Sequence, residues 1–201
     1  MAAQLGHYER VFARYGACAA GMDWESERKA ERRYEKLAEG VLRLGGGGVL
    51  DFGCGYGGLA GHLARDERVT YWGFDLSAEM IATARRLFPG VVFFCEPAKL
   101  DDPGMAPDIT VANGVFTESA GYGRVMMKTY LRAFLASAVA CSRKAVMFNV
   151  KSPLAPARRD DLFYLDLEDL KDIFDESWRP RFCLDHSYDP WEFFVILDLR
   201  S

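Results

Sequence analysis

The chain has 201 residues, 50% of them hydrophobic and 27% charged, which is long enough for one globular domain with a substantial core. Its net charge of −4 excludes a strongly basic surface for nucleic acid or an anionic membrane. There is no apolar stretch of membrane-spanning length and no signal-peptide core, so we expect a cytoplasmic protein. Five scattered cysteines and three histidines without ligand spacing predict no metal site.

The first 44 residues are predicted to be helical. Apolar residues recur at helical spacing from Tyr8 to Tyr15, and a strongly charged helical pattern runs from Trp24 to Leu44. Its alternating charges, Arg33 among them, are typical of a solvent-exposed face. We expect residues 1–44 to cover a core formed by 45–201, all within one domain (1–201), with Tyr8, Tyr15 and Trp24 as aromatic walls of a binding site.

Four glycines then interrupt an apolar run. Val49, Leu50 and Phe52 predict a buried strand, and the apolar pattern resumes after Gly58 at helical spacing. Glycine is favoured where φ must be positive or where a ligand approaches the backbone. The pattern predicts a strand, a tight turn and a helix that begins near Gly57.

The glycine turn fits two ligand classes. The spacing G-x-G-x-x-G is the fingerprint of dinucleotide-binding proteins, whereas D-x-G-x-G-x-G, which begins at Asp51, favours a different ligand. A carboxylate beside the turn repels a pyrophosphate but suits the ammonium group of a methionine moiety. The stretch resembles motif I of the class I S-adenosylmethionine (SAM)-dependent methyltransferases. This resemblance implies SAM as cofactor, held in this segment by Asp51, Gly53, Cys54, Gly55 and Gly57.

A second strand is predicted over Val69 to Phe74, and it ends at the acidic residue Asp75. An acid at this strand tip accepts hydrogen bonds from a ribose diol in both ligand classes, so Asp75 supports either interpretation. Leu76 follows it as a further cofactor contact. Ser77 is the predicted N-cap of the next helix.

A third strand, Val91 to Cys95, is followed by Glu96, Pro97 and Ala98. The resemblance implies an acidic residue here, beside the adenine amino group, but Pro97 stands at that position and lacks an N–H. We therefore expect Glu96 or the backbone of Ala98 to take over adenine recognition.

The fourth strand and its exit loop run from Ala106 to Phe116 and resemble motif IV of the same family. The resemblance places Asn113, Gly114 and Val115 over the sulfonium of SAM. The sequence here is not the N-P-P-Y or D-P-P-Y signature of enzymes that methylate nucleobase amino groups. A nucleic-acid substrate is therefore not expected.

The rest of the chain predicts a helix, a fifth strand, another helix and a hairpin of two strands on either side of Pro190. The resulting fold class is α/β. The resemblance implies a doubly wound, mostly parallel sheet of seven strands in the order 3-2-1-4-5-7-6, with an antiparallel terminal strand. Short segments around Trp24, Asn149 and His186 also look like a bacterial branch of the family.

We therefore expect a methyltransferase that moves the SAM methyl group to a small-molecule acceptor, without nucleic acid or membrane as partner. The candidate general bases near predicted strand ends at the cofactor crevice are Glu118, Lys151, His186 and Asp189. His186, in the terminal hairpin, is the first choice, and Glu118 is the second residue assigned a catalytic role. Two alternatives stay open: an NAD(P)-dependent oxidoreductase and a non-catalytic SAM-binding module. The sequence does not indicate the oligomeric state or the atom that is methylated.

Overall fold

The protein is described from a computed structural model covering residues 2–102, 104–174 and 181–200. One sheet contains seven strands: β1 (Gly47–Phe52), β2 (Val69–Phe74), β3 (Val92–Phe94), β4 (Ile109–Ala112), β5 (Ala145–Lys151), β6 (Arg181–Asp185) and β7 (Glu192–Asp198). Their spatial order is β3-β2-β1-β4-β5-β7-β6. Strands β1 to β5 are parallel, and β7 is antiparallel to both β5 and β6. The predicted fold class and strand order are confirmed.

Within the described residues, six α-helices accompany the sheet: α1 (Ala2–Tyr15), α2 (Glu27–Arg43), α3 (Ala60–Leu63), α4 (Ala78–Leu87), α5 (Arg124–Cys141) and α6 (Asp169–Ile173). Ser26 is the N-cap of α2 and Ser77 that of α4, each accepting a hydrogen bond from the backbone three residues on. None of the described helices is long and apolar enough to cross a membrane.

The core lies on both faces of the sheet. On one face, α2, α3 and α4 pack through residues such as Leu37, Leu63 and Ile81 against Val49 and Val111. On the other face, α5 and α6 cover a second cluster that includes Leu131, Leu135, Phe148, Leu170 and Val195. Helices on both faces bring the carboxyl ends of the parallel strands to one open edge, where ligands of such sheets bind.

Two local predictions are wrong. The helix after the glycine turn begins at Ala60 rather than near Gly57 and has only four residues, because Cys54 to Leu59 form successive turns. Too short to present a developed helix dipole, α3 gives little electrostatic support to a ligand. Arg33, predicted to lie on a solvent-exposed face of α2, is only 6% exposed, because it pairs with a carboxylate on a distant strand.

Candidate functional site

A cleft of about 710 Å³, open mouth included, lies at the carboxyl edge of the sheet. It is bounded below by the ends of β1, β2 and β4 and above by α1 and the segment before α2. Most of the residues that line it are apolar. The full lining is Gln4, Leu5, Tyr8, Met22, Trp24, Phe52, Gly53, Phe74, Asp75, Leu76, Ser77, Met80, Asn113, Gly114, Val115 and Tyr130. This mostly apolar lining with a few polar groups suits a ligand with an aromatic or aliphatic body and a few polar atoms.

The cleft brings together seven of the fourteen residues predicted to bind the cofactor. These are Trp24, Gly53, Asp75, Leu76, Asn113, Gly114 and Val115. Sequence reasoning missed Gln4, Leu5, Met22 and Tyr130. An apolar residue on a helix carries no signal that it faces a ligand rather than the core, and a single polar residue such as Gln4 is usually exposed to solvent. Phe52 and Phe74 could have been predicted as lining residues, because each is the last residue of a parallel strand.

The glycine turn has the positive φ angles that were predicted for it. Gly53 has a φ of 77°, and its N–H donates to Phe74 O at 2.8 Å. A Cβ at Gly53 would lie 2.5 Å from the side chain of Val115, so this position has no room for a larger residue. Cys54, Gly55 and Gly57 are buried beneath the cleft and are not among its lining residues.

Asp75 lies at the tip of β2 with its carboxylate against the turn. Its Oδ2 accepts a hydrogen bond from Gly55 N at 2.9 Å, and its Oδ1 accepts one from Ser77 N at 2.9 Å. Burial raises the pKa of this carboxyl, and the two backbone donors oppose that shift. Each oxygen retains lone-pair capacity toward the cleft, as the bidentate recognition of a diol requires.

Asp51 is placed deeper than expected. It is 2% exposed, accepts a hydrogen bond from the Tyr71 hydroxyl, and is not among the residues that line the cleft. Its Oδ1 has no hydrogen-bond partner in the described part of the chain. Burial raises the pKa of Asp51 to about 7, against the lowering effect of the Tyr71 hydrogen bond. A buried carboxylate with one oxygen unsatisfied needs a proton or a cationic partner.

The loop after β4 forms one side of the cleft. Asn113 is only 8% exposed, and neither polar atom of its side chain has a partner among the described residues. A buried amide normally makes hydrogen bonds, so an unpaired one at a cleft indicates a site for a polar ligand group. The next residue, Gly114, donates its N–H to Asn149 Oδ1 at 2.6 Å.

The N-terminal segment forms the cover of the cleft. Gln4 fastens α1 to the loop after β4, donating from Nε2 to Val115 O at 3.0 Å and to Glu118 O at 3.1 Å. Trp24 lies against Gly114, where an added Cβ would meet the indole at 3.2 Å. Of the three predicted aromatic walls, Tyr8 and Trp24 line the cleft, whereas Tyr15 is 50% exposed and lies outside its lining.

The segment predicted to recognise adenine lies outside the cleft lining. Glu96 is exposed, and its Oε2 accepts from Cys95 N at 3.2 Å and pairs with Lys99 Nζ at 3.2 Å. Pro97 and Ala98 are exposed in a 3-10 turn, Pro97–Asp101. The apolar part of the cleft is lined instead by Leu76, Val115 and Tyr130.

The two candidate bases occupy different surroundings. Glu118 is buried beside the cleft wall, its Oε1 accepting from Ala120 N at 3.0 Å, and burial raises its pKa. His186 lies in the loop after β6, packed against Phe193 with ring centroids 5.0 Å apart, and is not a lining residue. The imidazole Nε2 of His186 is buried without a partner among the described residues.

Three side chains at the rim of the cover have ligand atoms within 4.8 Å of one another: His7, Asp23 and Glu118. Nε2 of His7 and Oδ2 of Asp23 lie at hydrogen-bonding distance, 2.9 Å apart. Spacing in the sequence could not reveal this group, because its members come from α1, the segment before α2 and the loop after β4. These three are the described residues that could hold a metal ion, and the hydrogen bond between His7 and Asp23 also explains the arrangement without one.

Comparison with known proteins gives a consistent result. Residues 49–132 match the family model described as a methyltransferase domain. No match is found among curated proteins. Among solved structures, the magnesium protoporphyrin IX methyltransferase of Synechocystis PCC 6803 with bound S-adenosylhomocysteine (SAH) is 13% identical. That alignment covers 98% of this chain and 94% of the other, with a TM-score of 0.63.

Two further solved structures share the fold. The methyltransferase domain of bacterial CtHen1 is 15% identical, over 85% of this chain and 100% of that one, with a TM-score of 0.61. CalS10, an amino pentose methyltransferase from Micromonospora echinaspora with bound SAM, is 15% identical. That alignment covers 83% of this chain and 90% of the other, with a TM-score of 0.60.

Proposed function

We propose that this chain, a class I SAM-dependent methyltransferase by its sheet order and its methyltransferase domain, methylates a small-molecule acceptor. The observation that carries this proposal is the covered cleft at the carboxyl edge of the sheet. The cleft lies between the strand tips and α1, with Trp24 against Gly114, so an acceptor must fit beneath the N-terminal segment. A small molecule fits beneath that cover, which supports the proposal of a small-molecule acceptor.

The residues present fit SAM. Asp75 offers a carboxylate at the strand tip for the ribose hydroxyls, and the orphaned amide of Asn113 offers a donor and an acceptor for the methionine end. Asp51 has an unsatisfied oxygen for a cationic group. Trp24 and Tyr8 supply aromatic faces, which favour a sulfonium and exclude water. We retain Gly53, Leu76, Gly114 and Val115 as cofactor contacts on the same grounds.

Bound SAM supplies an activated, electrophilic methyl group, which leaves the protein the task of aligning a nucleophile in line with it. Holding two reactants in line lowers a barrier by up to ~7–11 kcal/mol when the geometry is ideal. Asn113 and Trp24 both line the cleft and are proposed to orient the ligands, and the apolar lining keeps water away from the reacting atoms.

Of the two candidate bases, we propose Glu118 as the group that takes a proton from an acceptor hydroxyl or amine. It is joined to the cleft wall through Gln4, which bonds both Glu118 O and Val115 O. Its raised pKa makes the carboxylate a stronger base near neutral pH than an exposed glutamate. His186 lacks such a connection to the cleft within the described residues, and we propose it only as the second candidate.

A non-catalytic SAM-binding module is the alternative, favoured by one observation: neither Glu118 nor His186 lines the cleft. Incubation with SAM and a fractionated mixture of small metabolites, with mass-spectrometric detection of SAH, separates the two. A fraction that yields SAH with the intact protein but not with Asp75→Ala supports the enzyme. Tight SAM binding with no SAH from any fraction supports the module. The oxidoreductase alternative has no comparable support, because the antiparallel β7 belongs to the methyltransferase sheet.

A further inference from the structure

One buried carboxylate collects hydrogen bonds from four side chains. Glu192, at the start of β7, is 2% exposed and accepts from both Nε (2.9 Å) and Nη2 of Arg33. Lys151 Nζ lies 2.6 Å from its Oε1, and the Tyr188 hydroxyl donates to its Oε2 at 2.7 Å. Burial opposes the charge of Glu192, but Arg33 and Lys151 hold its pKa well below the usual range. Glu192 is therefore ionised and fixed in one orientation.

Asn149 links the fixed carboxylate of Glu192 to the cleft. Its Nδ2 donates to Glu192 Oε2 at 3.3 Å, and its Oδ1 accepts from Gly114 N at 2.6 Å. A carboxylate only accepts hydrogen bonds, so the NH₂ group of Asn149 must face Glu192. The carbonyl oxygen of the amide is thereby directed at Gly114, which has a φ of 79° and lines the cleft. Glu192 thus fixes which end of Asn149 meets the loop after β4.

Arg33 links the same carboxylate to the cover of the cleft. Its Cζ lies 4.6 Å from the centroid of the Trp24 ring, and the two ion-paired nitrogens keep the guanidinium in that plane. A cation over an indole face stabilises the position of the ring. The same indole also lies against Gly114. Both walls of the cleft, Trp24 and Gly114, therefore depend on one carboxylate.

The contacts around Glu192 also give a structural role to residues from three short segments of the sequence. Trp24, Asn149 and Tyr188 belong to segments far apart in the chain, and only Trp24 had a role predicted from the sequence, as an aromatic wall. In the structure, each makes a direct contact with Glu192, Arg33 or Gly114. Burying a charge is costly unless it is paired, and the carboxylate of Glu192 is saturated with donors, whereas Nη1 of Arg33 has no partner among the described residues.

We propose that Glu192 is a positioning residue for the cofactor site: it holds Gly114 through Asn149 and Trp24 through Arg33 without itself lining the cleft. The proposal rests on the proposed function, since it takes SAM to be the ligand of that cleft. It predicts that changes at Glu192 or Asn149 alter ligand affinity and the environment of Trp24 together. A merely structural role for the cluster would change stability alone.

The test uses Asn149→Ala and Glu192→Gln in the full chain, with Thr110→Val as the matched control. Thr110 is buried in β4, the strand that leads to Gly114, and hydrogen-bonds with Ser142 Oγ at 2.8 Å, so its replacement removes a partly buried hydrogen bond outside the cluster. Calorimetry measures SAM affinity, and ¹⁹F NMR of protein labelled with 5-fluorotryptophan reports on Trp24. The Trp24 signal is identified by its loss in Trp24→Phe.

Asn149→Ala is expected to weaken SAM binding about tenfold, the effect of one lost hydrogen bond, while Thr110→Val leaves it within twofold. Glu192→Gln is expected to shift the Trp24 resonance in the ligand-free protein, which Thr110→Val does not. If Glu192→Gln fails to fold, Asn149→Ala carries the test with both readouts. Unchanged SAM affinity and an unchanged Trp24 signal in the folded variants would overturn the proposal. If the parent binds no SAM, the proposed function fails, and the Trp24 shift alone decides whether Glu192 positions the cover.

Discussion

The carboxylate of Asp75 and the backbone of Gly55 are joined by a hydrogen bond of 2.9 Å, so the strand tip and the glycine turn form one unit. The second oxygen of Asp75 is bonded by Ser77 N at the start of α4. A residue proposed to bind the ribose therefore also fixes the turn that lies beneath the cofactor. Changing Asp75 should affect both.

Asp75→Ala is expected to weaken SAM binding roughly ten- to one-hundred-fold, since hydrogen bonds to a charged acceptor contribute about 1.5–3 kcal/mol. Calorimetry measures the affinity, and circular dichroism checks that the variant is folded. Glu79→Ala, an exposed position in the first turn of α4, is the control and should bind SAM as the parent does. Parental affinity in Asp75→Ala would mean that Asp75 only shapes the turn.

SAM binding is expected to release protons from Asp51. Burial raises the pKa of this carboxyl to about 7 in the free protein, so it is largely protonated at pH 6.5. A cationic group brought beside it favours the ionised form and lowers the pKa, so the proton leaves. Calorimetry in buffers of different ionisation enthalpy should show a release of up to about three-quarters of a proton per SAM at that pH.

Asp51→Asn cannot release this proton and provides the reference, since SAM and other groups also exchange protons on binding. A smaller release in Asp51→Asn than in the parent is the expected difference. The same proton count in both proteins would show that Asp51 keeps its protonation state and does not face the ammonium of SAM.

Much of the fold was predictable because it depends on local patterns. Apolar runs that end at Phe52, Phe74 and Ala112 predict strands, and each run is followed by a turn or a helix signal. Together with the family resemblance, these strands predicted the order of the sheet. Asp75, Asn113 and Gly114 were predictable for the same reason, since the ends of parallel strands meet at one edge.

Arg33 and Glu192 could not be predicted, because their relationship is not local. They are 159 residues apart in the sequence, and each occurs in a stretch whose charge pattern is ordinary. Charges on a helix with neighbours of opposite sign are usually exposed, and only the packing of α2 beside β7 buries this one. The burial of Asp51 was not predicted for a related reason. A central strand has two faces, and the sequence does not show which face Asp51 occupies or that Tyr71 lies beside it.

Removal of residues 1–20 is expected to leave a folded sheet with lower SAM affinity and no turnover. This segment supplies Gln4, Leu5 and Tyr8 to the cleft, but it buries little of the core besides Phe12 and Ala19. A cover of this kind orders on ligand binding and excludes water from the reacting atoms. Met1, the first residue of the segment, lies outside the described residues.

Hydrogen exchange provides the second readout for the cover. Backbone amides of α1 should gain protection when SAH is added to the intact protein, because the ligand fastens the helix against the loop after β4. Equal exchange with and without SAH, together with full SAM affinity in the truncated chain, would mean that the segment is structural packing only.

Glu118→Gln is expected to lower kcat by about 10²–10⁴-fold, the usual contribution of a general base, with SAM affinity within twofold of the parent. His186→Ala should keep most of the activity. The parent rate should rise with pH through the raised pKa of Glu118, because only the ionised carboxylate accepts a proton. An inactive His186→Ala beside a fully active Glu118→Gln would reverse the assignment.

The central claim is that the covered cleft binds SAM. Titration calorimetry of the full chain with SAM and, separately, with NAD tests it most directly. We predict one SAM bound per chain and no heat of binding with NAD, because Asp51, buried beside the glycine turn with one oxygen unpaired, favours a cationic group and disfavours a pyrophosphate. Binding of NAD together with no binding of SAM would contradict the account.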